Sequence, residues 1–361
     1  MVPKFDPKEL KVVGETRGSP YVPGLQIFDY PVPAREGYLA LMRREPIWQI
    51  ISLAEGRIFT PKLLPDNVAR AFVIETEMIN PLTEGGGLDM FGIDWEYVPM
   101  ATGSMVRPGE PFMEDANEWY DKIVWPDIDS WDWEGAAARN NGTFLKDDAF
   151  NITWFQTGLY ERLISFMDFE GAVMALFDED QKPAVKDLFD KISDLYIKIF
   201  EKYITYFPLI DCFCFHDDWG SQKETFFSPA VAEEMIVPYM RKITDFLHSK
   251  GKYCELHSCG MALKQVPNII AAGWDFWCPQ AMNDTHKMYE LYGDQMIIGV
   301  IPEQFDPATT SEADQRRLAR EYADKFCQPG KPSILNYYGG QVLTPAYREE
   351  LYIRSRENYS K

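Results

Sequence analysis

The feature that most constrains the fold is an alternation of short apolar runs with amphipathic helical segments from residue 183 to residue 338. Residues 183–203 carry apolar side chains three and four positions apart, the spacing of one helix face. Between further helical segments lie runs suited to buried strands, at 211–216, 252–256, 275–280, 296–301 and 333–338. Strands joined through helices form parallel sheets with right-handed crossovers. This order predicts an α/β protein built as a (β/α)8 TIM barrel.

The rest of the chain shows no fixed-period repeat, low-complexity tract or Gly/Ser linker. We interpret residues 1–80, with their scattered prolines, as an N-terminal extension packed on the main body, and residues 81–361 as the barrel. The segment near 99–129 is rich in Pro, Gly and Asp and carries Trp119 and Trp125. Loops of this length are usually functional, so we expect a lid-like insertion.

Charge and cysteine usage limit the partners and the compartment. The chain has 56 acidic and 36 basic side chains, a net charge of −20, which disfavours nucleic acid and acidic membranes. No apolar run approaches the roughly 20 residues that span a bilayer, and the start lacks a secretory signal pattern. The six cysteines do not resemble a secreted disulfide framework. We therefore expect a cytoplasmic protein with reduced thiols.

Polar side chains stand where the predicted strands end, which is where barrel enzymes carry their reactive groups. They are His216, Asp217, Asp218, His257, Cys259, Cys278, Gln280 and Glu303. Each has an ordinary alternative, since an aspartate pair after a strand often caps the next helix and a cysteine between bulky neighbours often only packs. We expect that the side chains that meet at the strand ends line one pocket.

His257 and Cys259 stand two residues apart after a predicted strand that Gly251 and Gly260 bound. Alternate residues of a strand face the same way, so the two side chains can bind one ion. Neutral imidazole and thiolate are common zinc ligands, and a catalytic zinc takes three protein ligands with a fourth position open. The alternative is a buried histidine beside an inert cysteine.

Several strings carry a family resemblance. They are His216-Asp-Asp-Trp-Gly-Ser-Gln222, His257-Ser-Cys-Gly260, Pro279-Gln-Ala-Met-Asn-Asp284 and, more loosely, Gly87-Leu-Asp-Met-Phe-Gly-Ile-Asp94. Over about residues 205–305 the chain resembles the uroporphyrinogen decarboxylase superfamily, and within it the branch of cobalamin-dependent methyltransferases. The resemblance implies a (β/α)8 barrel.

In that branch a catalytic zinc is held by a His-x-Cys pair and a distant third ligand, commonly a cysteine near the last strand. The resemblance thus implies that His257 and Cys259 bind zinc. The predicted last strand of this chain has no cysteine, and Cys327 ends a predicted helix. Cys278 and Glu303, at predicted strand ends, are the candidates for the third ligand, and the sequence does not choose between them.

The resemblance also implies the reaction. A methyl group would move from a methoxylated small molecule, such as an aryl methyl ether, to cob(I)alamin, with zinc as a Lewis acid on the ether oxygen. The usual cobalamin-binding signature, Asp-x-His-x-x-Gly, is absent, because Tyr289 occupies the glycine position after Asp284 and His286. We therefore expect the cobalamin to come from a separate corrinoid protein.

Further roles follow for residues around the pocket. Asp217 or Asp218 is a candidate to orient a substrate hydroxyl or to protonate a departing oxygen. Asp94 loosely matches the position of the essential carboxylate in the decarboxylases. The residues expected to bind the substrate are Trp219, Gln280, Tyr337 and Tyr338. Helix capping and core packing are the ordinary alternatives.

Two other functions remain open, namely a decarboxylase acting on a porphyrin-like substrate and a non-catalytic corrinoid-handling protein. The decarboxylases carry an arginine-bearing N-terminal motif, whereas this chain has Pro46-Ile-Trp48-Gln-Ile-Ile-Ser-Leu. An acidic protein without those arginines binds a polycarboxylate poorly. The methyl donor, the direction of transfer and the oligomeric state, including a homodimer, are not determined by the sequence.

Overall fold

The computed structural model describes residues 4–16, 24–52, 54–101, 103–107, 109, 111–337 and 341–361. The chain divides into two compact units. The first unit contains residues 1–57, 147–150 and 275–361, and the second contains residues 58–146 and 151–274.

The strands of the described residues are short. They are β1 (Val12–Glu15), β2 (Gln26–Phe28), β3 (Gly56–Phe59), β4 (Gly87–Leu88), β5 (Asp94–Val98), β6 (Gly103–Val106), β7 (Phe150–Phe155), β8 (Ile210–His216), β9 (Tyr253–His257), β10 (Phe276–Trp277), β11 (Ile297–Val300) and β12 (Ser333–Leu335).

The helices vary widely in length. They are α1 (Ala34–Met42), α2 (Pro65–Ala69), α3 (Pro81–Glu84), α4 (Trp119–Lys122), α5 (Trp133–Asn140), α6 (Leu159–Ala175), α7 (Lys182–Tyr206), α8 (Pro229–Met235), α9 (Val237–Ser249), α10 (Val266–Ala271), α11 (Thr285–Tyr292), α12 (Glu312–Phe326) and α13 (Pro345–Tyr359). Short 3-10 helices lie at Pro7–Leu10, Pro99–Ala101, Ala116–Glu118, Ile128–Ser130 and Leu263–Gln265.

The second unit contains parallel strands in the order β9-β8-β7, connected along the chain by helices α6 to α9. α7 buries the apolar stripe that its spacing predicts. Every residue of β8 is buried except the last, His216. In the strand register His216 lies opposite His257, so the carboxyl ends of β8 and β9 lie side by side. A separate antiparallel sheet of this unit has the order β4-β5-β6.

The first unit contains parallel strands in the order β12-β11-β10, with α11 and α12 between them in sequence. β1 and β2 form an antiparallel pair. The buried Arg356 on α13 donates to Glu9 at 2.8 and 2.9 Å and so joins the last helix to the start of the chain.

These elements confirm the α/β class and the alternation of strands with helices, because each predicted run overlaps an observed strand. The segment between Pro229 and Gly251 forms two helices, α8 and α9, which meet at Ile236, and Pro238 lies in the first turn of α9. Closure into a (β/α)8 barrel, the extension over residues 1–80 and the lid near 99–129 stay predictions. None of the helices in the described ranges is long and apolar enough to cross a membrane. None of the six cysteines, all of which lie in the described ranges, forms a disulfide.

Candidate metal centre

Four ligating side chains meet where β8 and β9 end. They belong to His216, Asp218, His257 and Cys259, and one ligand atom of each lies within 4.8 Å of the others. His216 and His257 are the last residues of neighbouring parallel strands and are paired in register. Asp218 and Cys259 each follow two residues later, in the loops that leave the strands. The two loops therefore repeat one pattern, a histidine and then a second ligating residue.

Close contacts between the two loops fix this arrangement. The backbone N–H of Cys259 donates to Asp218 Oδ1 at 2.6 Å, and the backbone N–H of Asp217 donates to the His257 carbonyl at 2.9 Å. Gly260 has φ +77°, and a Cβ there would lie 2.0 Å from the carbonyl oxygen of Gly220. Only glycine fits this position, because both the backbone angle and the space exclude a side chain. The loop contacts thus hold Cys259 beside His257.

The spacing of the ligand atoms suits a tetrahedral metal. His216 Nε2 lies 3.1 Å from Asp218 Oδ1, and Cys259 Sγ lies 3.5 Å from His257 Nε2. Usual zinc bond lengths and tetrahedral angles require about 3.3 Å between nitrogen and oxygen ligands and about 3.5 Å between nitrogen and sulfur. The residue types therefore fit zinc, and so does the spacing within each of these two pairs.

His216 has the outer contact that metal-binding histidines usually make. Its Nδ1 lies 3.1 Å from the backbone carbonyl of Gln156, so the ring presents its other nitrogen, Nε2, to the cluster. Arg70 Nη2 lies 3.2 Å from the same Nδ1, and Arg70 also donates to Glu161 at 2.8 Å. Beside His257, the Trp154 ring lies 4.8 Å away between ring centres.

Burial and mutual charge set the ionisation of the histidines and of Asp218. Burial lowers the pKa of His257 to about 3, and His216 adds to the shift, so His257 is neutral at pH 7 as a metal ligand must be. Burial alone would lower the pKa of His216, but Asp218 raises it overall. Burial alone would raise the pKa of Asp218, but His216 lowers it overall.

The Cys259 thiol is held in its neutral form. Burial and the nearby Asp218 both raise the pKa of Cys259 above its ordinary value. One layer lower on the same strand, burial raises the pKa of Glu255 to about 8, although the Cys214 thiol opposes the shift. A cation bound in the cluster would stabilise a Cys259 thiolate, because a metal favours the deprotonated form of its ligand.

Asp217 and Trp219, predicted as catalytic and substrate-binding residues, are both fully buried. The Trp219 indole donates to Asp217 Oδ2 at 2.9 Å, and the backbone N–H of Glu161 donates to Asp217 Oδ1 at 2.8 Å. Burial raises the pKa of Asp217 to about 7. These contacts fix the loop after β8, and the catalytic and binding roles of the two residues stay predictions.

The other predicted site residues lie elsewhere in the chain. Asp94 on β5 is half-buried and accepts from Arg107 at 2.6 Å. The predicted residues of the first unit are Cys278, Gln280, Glu303 and Tyr337, whereas Tyr338 lies outside the described residues. The four-residue cluster of the second unit includes neither candidate for the third ligand. The choice of Cys278 or Glu303 for that role stays a prediction.

Three residues of this centre were not assigned a role from the sequence. His216 was placed at a strand end but not as a ligand, and its signal is its position one strand before the His-x-Cys pair. Parallel neighbours place their last residues side by side, which brings His216 to His257. Arg70, which contacts His216, and Glu161, which contacts Arg70, carry no comparable signal, because both lie in helical segments far away in sequence.

No family model matches the sequence, and no curated protein is detectably similar to it. Among solved structures, the chain is similar to a methyltransferase from Methanosarcina mazei, with a TM-score of 0.57 and 12% sequence identity. The likeness covers 91% of this chain and 99% of that chain. At this level of identity the comparison shows a shared fold.

Proposed function

We propose that this protein is a zinc-dependent methyltransferase that moves a methyl group from a methoxylated small molecule to the cob(I)alamin of a separate corrinoid protein. The observation that carries the proposal is the cluster of His216, Asp218, His257 and Cys259. The fold shared with a methyltransferase and the His-x-Cys motif support it.

In this proposal His257, Cys259 and His216 hold the zinc, because two imidazoles and a thiolate form a suitable catalytic ligand set. His216 is preferred to Asp218 as the third ligand because the Gln156 carbonyl already orients its ring. The side chain of His216 is also less exposed, at 12% against 23% for Asp218. Asp218 then stands beside the position left for the substrate.

When bound, zinc would supply Lewis acidity to the ether oxygen of the substrate. The protein's own residues do the positioning. Asp218, held by the Cys259 N–H, accepts a hydrogen bond from the substrate or from water. The Trp154 ring, whose centre lies 4.8 Å from the His257 ring and 5.4 Å from the Phe72 ring, offers an aromatic surface against which a planar substrate would pack.

The corrinoid is assigned to a partner because this chain lacks a matching binding motif. His286, the histidine of the incomplete cobalamin signature, lies in the first unit with its Nε2 3.0 Å from the Ile301 carbonyl. The His286 ring also packs at 4.7 Å from the Phe326 ring. A histidine held in this way is a structural contact on α11, which agrees with a corrinoid supplied from outside.

The first test measures zinc per chain by elemental mass spectrometry in protein purified without chelators. We expect nearly one zinc per chain in the wild type and in His286→Ala, a matched histidine control, and loss of zinc in His257→Ala, Cys259→Ser and His216→Ala. Absence of zinc from the wild type contradicts the proposal. Loss of zinc in Cys278→Ser or Glu303→Gln, with zinc retained in His216→Ala, would assign the third ligand to the first unit.

The second test measures methyl transfer to a corrinoid. The zinc-containing protein is incubated with cob(I)alamin and a panel of methoxyarenes, and methylcobalamin is followed by its absorption spectrum. If the protein is a methyltransferase, methylcobalamin should form with the wild type and not with His257→Ala. If it is a decarboxylase, neither bound zinc nor methyl transfer is expected. If it is a corrinoid-handling protein, it should bind a corrinoid protein without transferring a methyl group.

A further inference from the structure

A largely buried ion pair lies directly against the candidate metal centre, and the proposed function uses neither of its residues as a ligand. Arg70 is the C-cap residue of α2, and Glu161 lies in the first turn of α6. Arg70 Nη1 donates to Glu161 Oε2 at 2.8 Å, and the two side chains are 11% and 13% exposed. The other terminal nitrogen of the guanidinium, Nη2, lies 3.2 Å from His216 Nδ1. A full positive charge therefore stands next to one residue of the four-residue cluster.

Further contacts hold this pair in place. The Glu161 backbone N–H donates to Asp217 Oδ1 at 2.8 Å, and Asp217 is the residue after His216. Together with the two Arg70 contacts, this bond closes a ring of links that begins and ends at His216. The Arg70 guanidinium also lies 4.8 Å from the centre of the Trp95 ring. Arg70 thus cannot turn away from His216 without breaking several contacts.

The charge of Arg70 bears on metal binding because a guanidinium stays ionised in proteins and repels a dication bound nearby. Within the part of the chain that the structure describes, Glu161 is the one carboxylate in ion-pair contact with Arg70. Burial and Asp218 are the main influences on the pKa of His216, and beyond them Arg70 lowers this pKa whereas Glu161 raises it. The carboxylate therefore offsets the guanidinium at the position of the cluster.

Resting on the proposed function, we infer that Glu161 is a positioning residue of the metal centre, which neutralises Arg70 and so allows a dication to bind beside it. Arg70 holds the His216 ring from its outer side, as the partners of metal-binding histidines do. Glu161 removes the electrostatic cost that this arginine would otherwise impose on the bound metal. An ion pair that only stabilised the fold would have no such effect, and the two roles predict opposite results when both charges are removed.

The test is a competition titration of zinc at pH 7 between a chromophoric chelator and the full-length protein freed of metal. Glu161→Gln keeps the size of the side chain and leaves Arg70 uncompensated, so it is expected to weaken zinc binding by at least about 10-fold. The double variant Arg70→Met/Glu161→Gln removes both charges and is expected to recover most of this loss. If the pair only held the fold together, the double variant would bind zinc no better than the single one.

Glu350→Gln is the matched control, because Glu350 on α13 of the first unit is 14% exposed and pairs with Arg320 at 2.9 Å. This variant should bind zinc as tightly as the wild type. Cobalt(II) supplies a second readout, since its absorption spectrum reports the ligands around the metal. At saturating cobalt(II), Glu161→Gln should show the wild-type spectrum, because its ligands are unchanged and only the affinity is lower.

Thermal unfolding is measured for each variant to show that it folds. If Glu161→Gln does not fold, Arg70→Met is compared with the double variant. With the arginine removed, the uncompensated Glu161 carboxylate should make Arg70→Met bind zinc more tightly than the double variant does. Equal or weaker binding by Arg70→Met would overturn the inference.

An unchanged zinc affinity in folded Glu161→Gln overturns the inference, as does an altered cobalt(II) spectrum in that variant. A double variant that binds zinc no better than Glu161→Gln overturns it as well. In each of these cases a wild type that binds zinc and methylates cob(I)alamin keeps the proposed function. A wild type that binds neither zinc nor cobalt(II) overturns both.

Discussion

Arg162→Met would test how strongly the second unit depends on a buried ion cluster. Arg162 on α6 is fully buried, and its guanidinium pairs with Asp66 and Asp89, which are buried as well. Asp89 also accepts from two backbone N–H groups at 2.9 and 3.0 Å and from the Trp95 indole at 3.0 Å. The cluster therefore ties α2 and the turn between β4 and β5 to α6.

The substitution removes a positive charge while keeping a similar volume, so it leaves the carboxyl groups of Asp66 and Asp89 without their cation. Removing one partner from a buried ion pair costs about 3–5 kcal/mol. We expect the free energy of unfolding at pH 7 to fall by that amount. An unpaired buried carboxyl group has a pKa raised above its unfolded value, so the loss should shrink as the pH falls through that raised value.

Urea-induced unfolding followed by circular dichroism at pH 7 and at pH 5 measures both effects. Arg241→Met is the matched control, because Arg241 and its partner Asp245, 2.7 Å apart, are 53% and 55% exposed. An exposed pair of this kind contributes at most about 1 kcal/mol. If Arg162→Met cost no more than Arg241→Met, or cost more at pH 5 than at pH 7, the argument from uncompensated charge would be refuted.

Two further predictions concern backbone space and pH. Gly260→Ala should lower the amount of zinc per chain, because the added Cβ would lie 2.0 Å from the Gly220 carbonyl oxygen. Gly251→Ala is the control, since Gly251 has φ +69° but no atom within 4 Å of an added Cβ. This variant should lose only about 1–2 kcal/mol of stability to backbone strain and keep its zinc. Equal zinc in the two variants would contradict this. For Glu9, burial alone would raise its pKa, but the hydrogen bond from Arg356 helps to lower it overall. The charged Glu9 carboxylate therefore stabilises the fold at any pH above the pKa that Glu9 has in the unfolded chain. This stabilisation is lost as the pH falls through the lower pKa that Glu9 has in the folded protein. The melting temperature of Glu9→Gln should accordingly be lower than that of the wild type at pH 7, and the difference should narrow below about pH 4. A difference that stays constant down to about pH 3 would contradict a stabilising charge on Glu9.

The fold class was predictable because apolar spacing differs between strands and helices, and this chain alternates the two clearly. The residues of the candidate metal centre were only partly predictable. His257 and Cys259 share one short motif, so their proximity follows from local geometry. The proximity of His216 depends on the register of β8 against β9, which packing along the whole strand decides and no local pattern encodes.

The two neighbouring aspartates show the same limit at the scale of one residue. The sequence gives no reason to distinguish Asp217 from Asp218. In the structure, however, Asp217 contacts the Trp219 indole and Asp218 contacts His216. The difference follows from contacts between the loops after β8 and β9, since Asp218 accepts from the Cys259 N–H. Which of two identical side chains joins the cluster of His216, His257 and Cys259 is therefore a property of the folded loops.

The layering of β8 and β9 separates residues that depend on the loops from residues that depend on the strand ladder. His216 and His257 end their strands and adjoin the loops, whereas Cys214 and Glu255 lie inside the strands, where the ladder fixes the backbone. A change at Gly260 alters the loop contacts that place Cys259 and should leave the strand interior in register. If the cluster binds zinc as proposed, the zinc content should therefore respond to substitution of Gly260 more strongly than to substitution of Glu255, although Glu255 lies only two residues before His257 on β9.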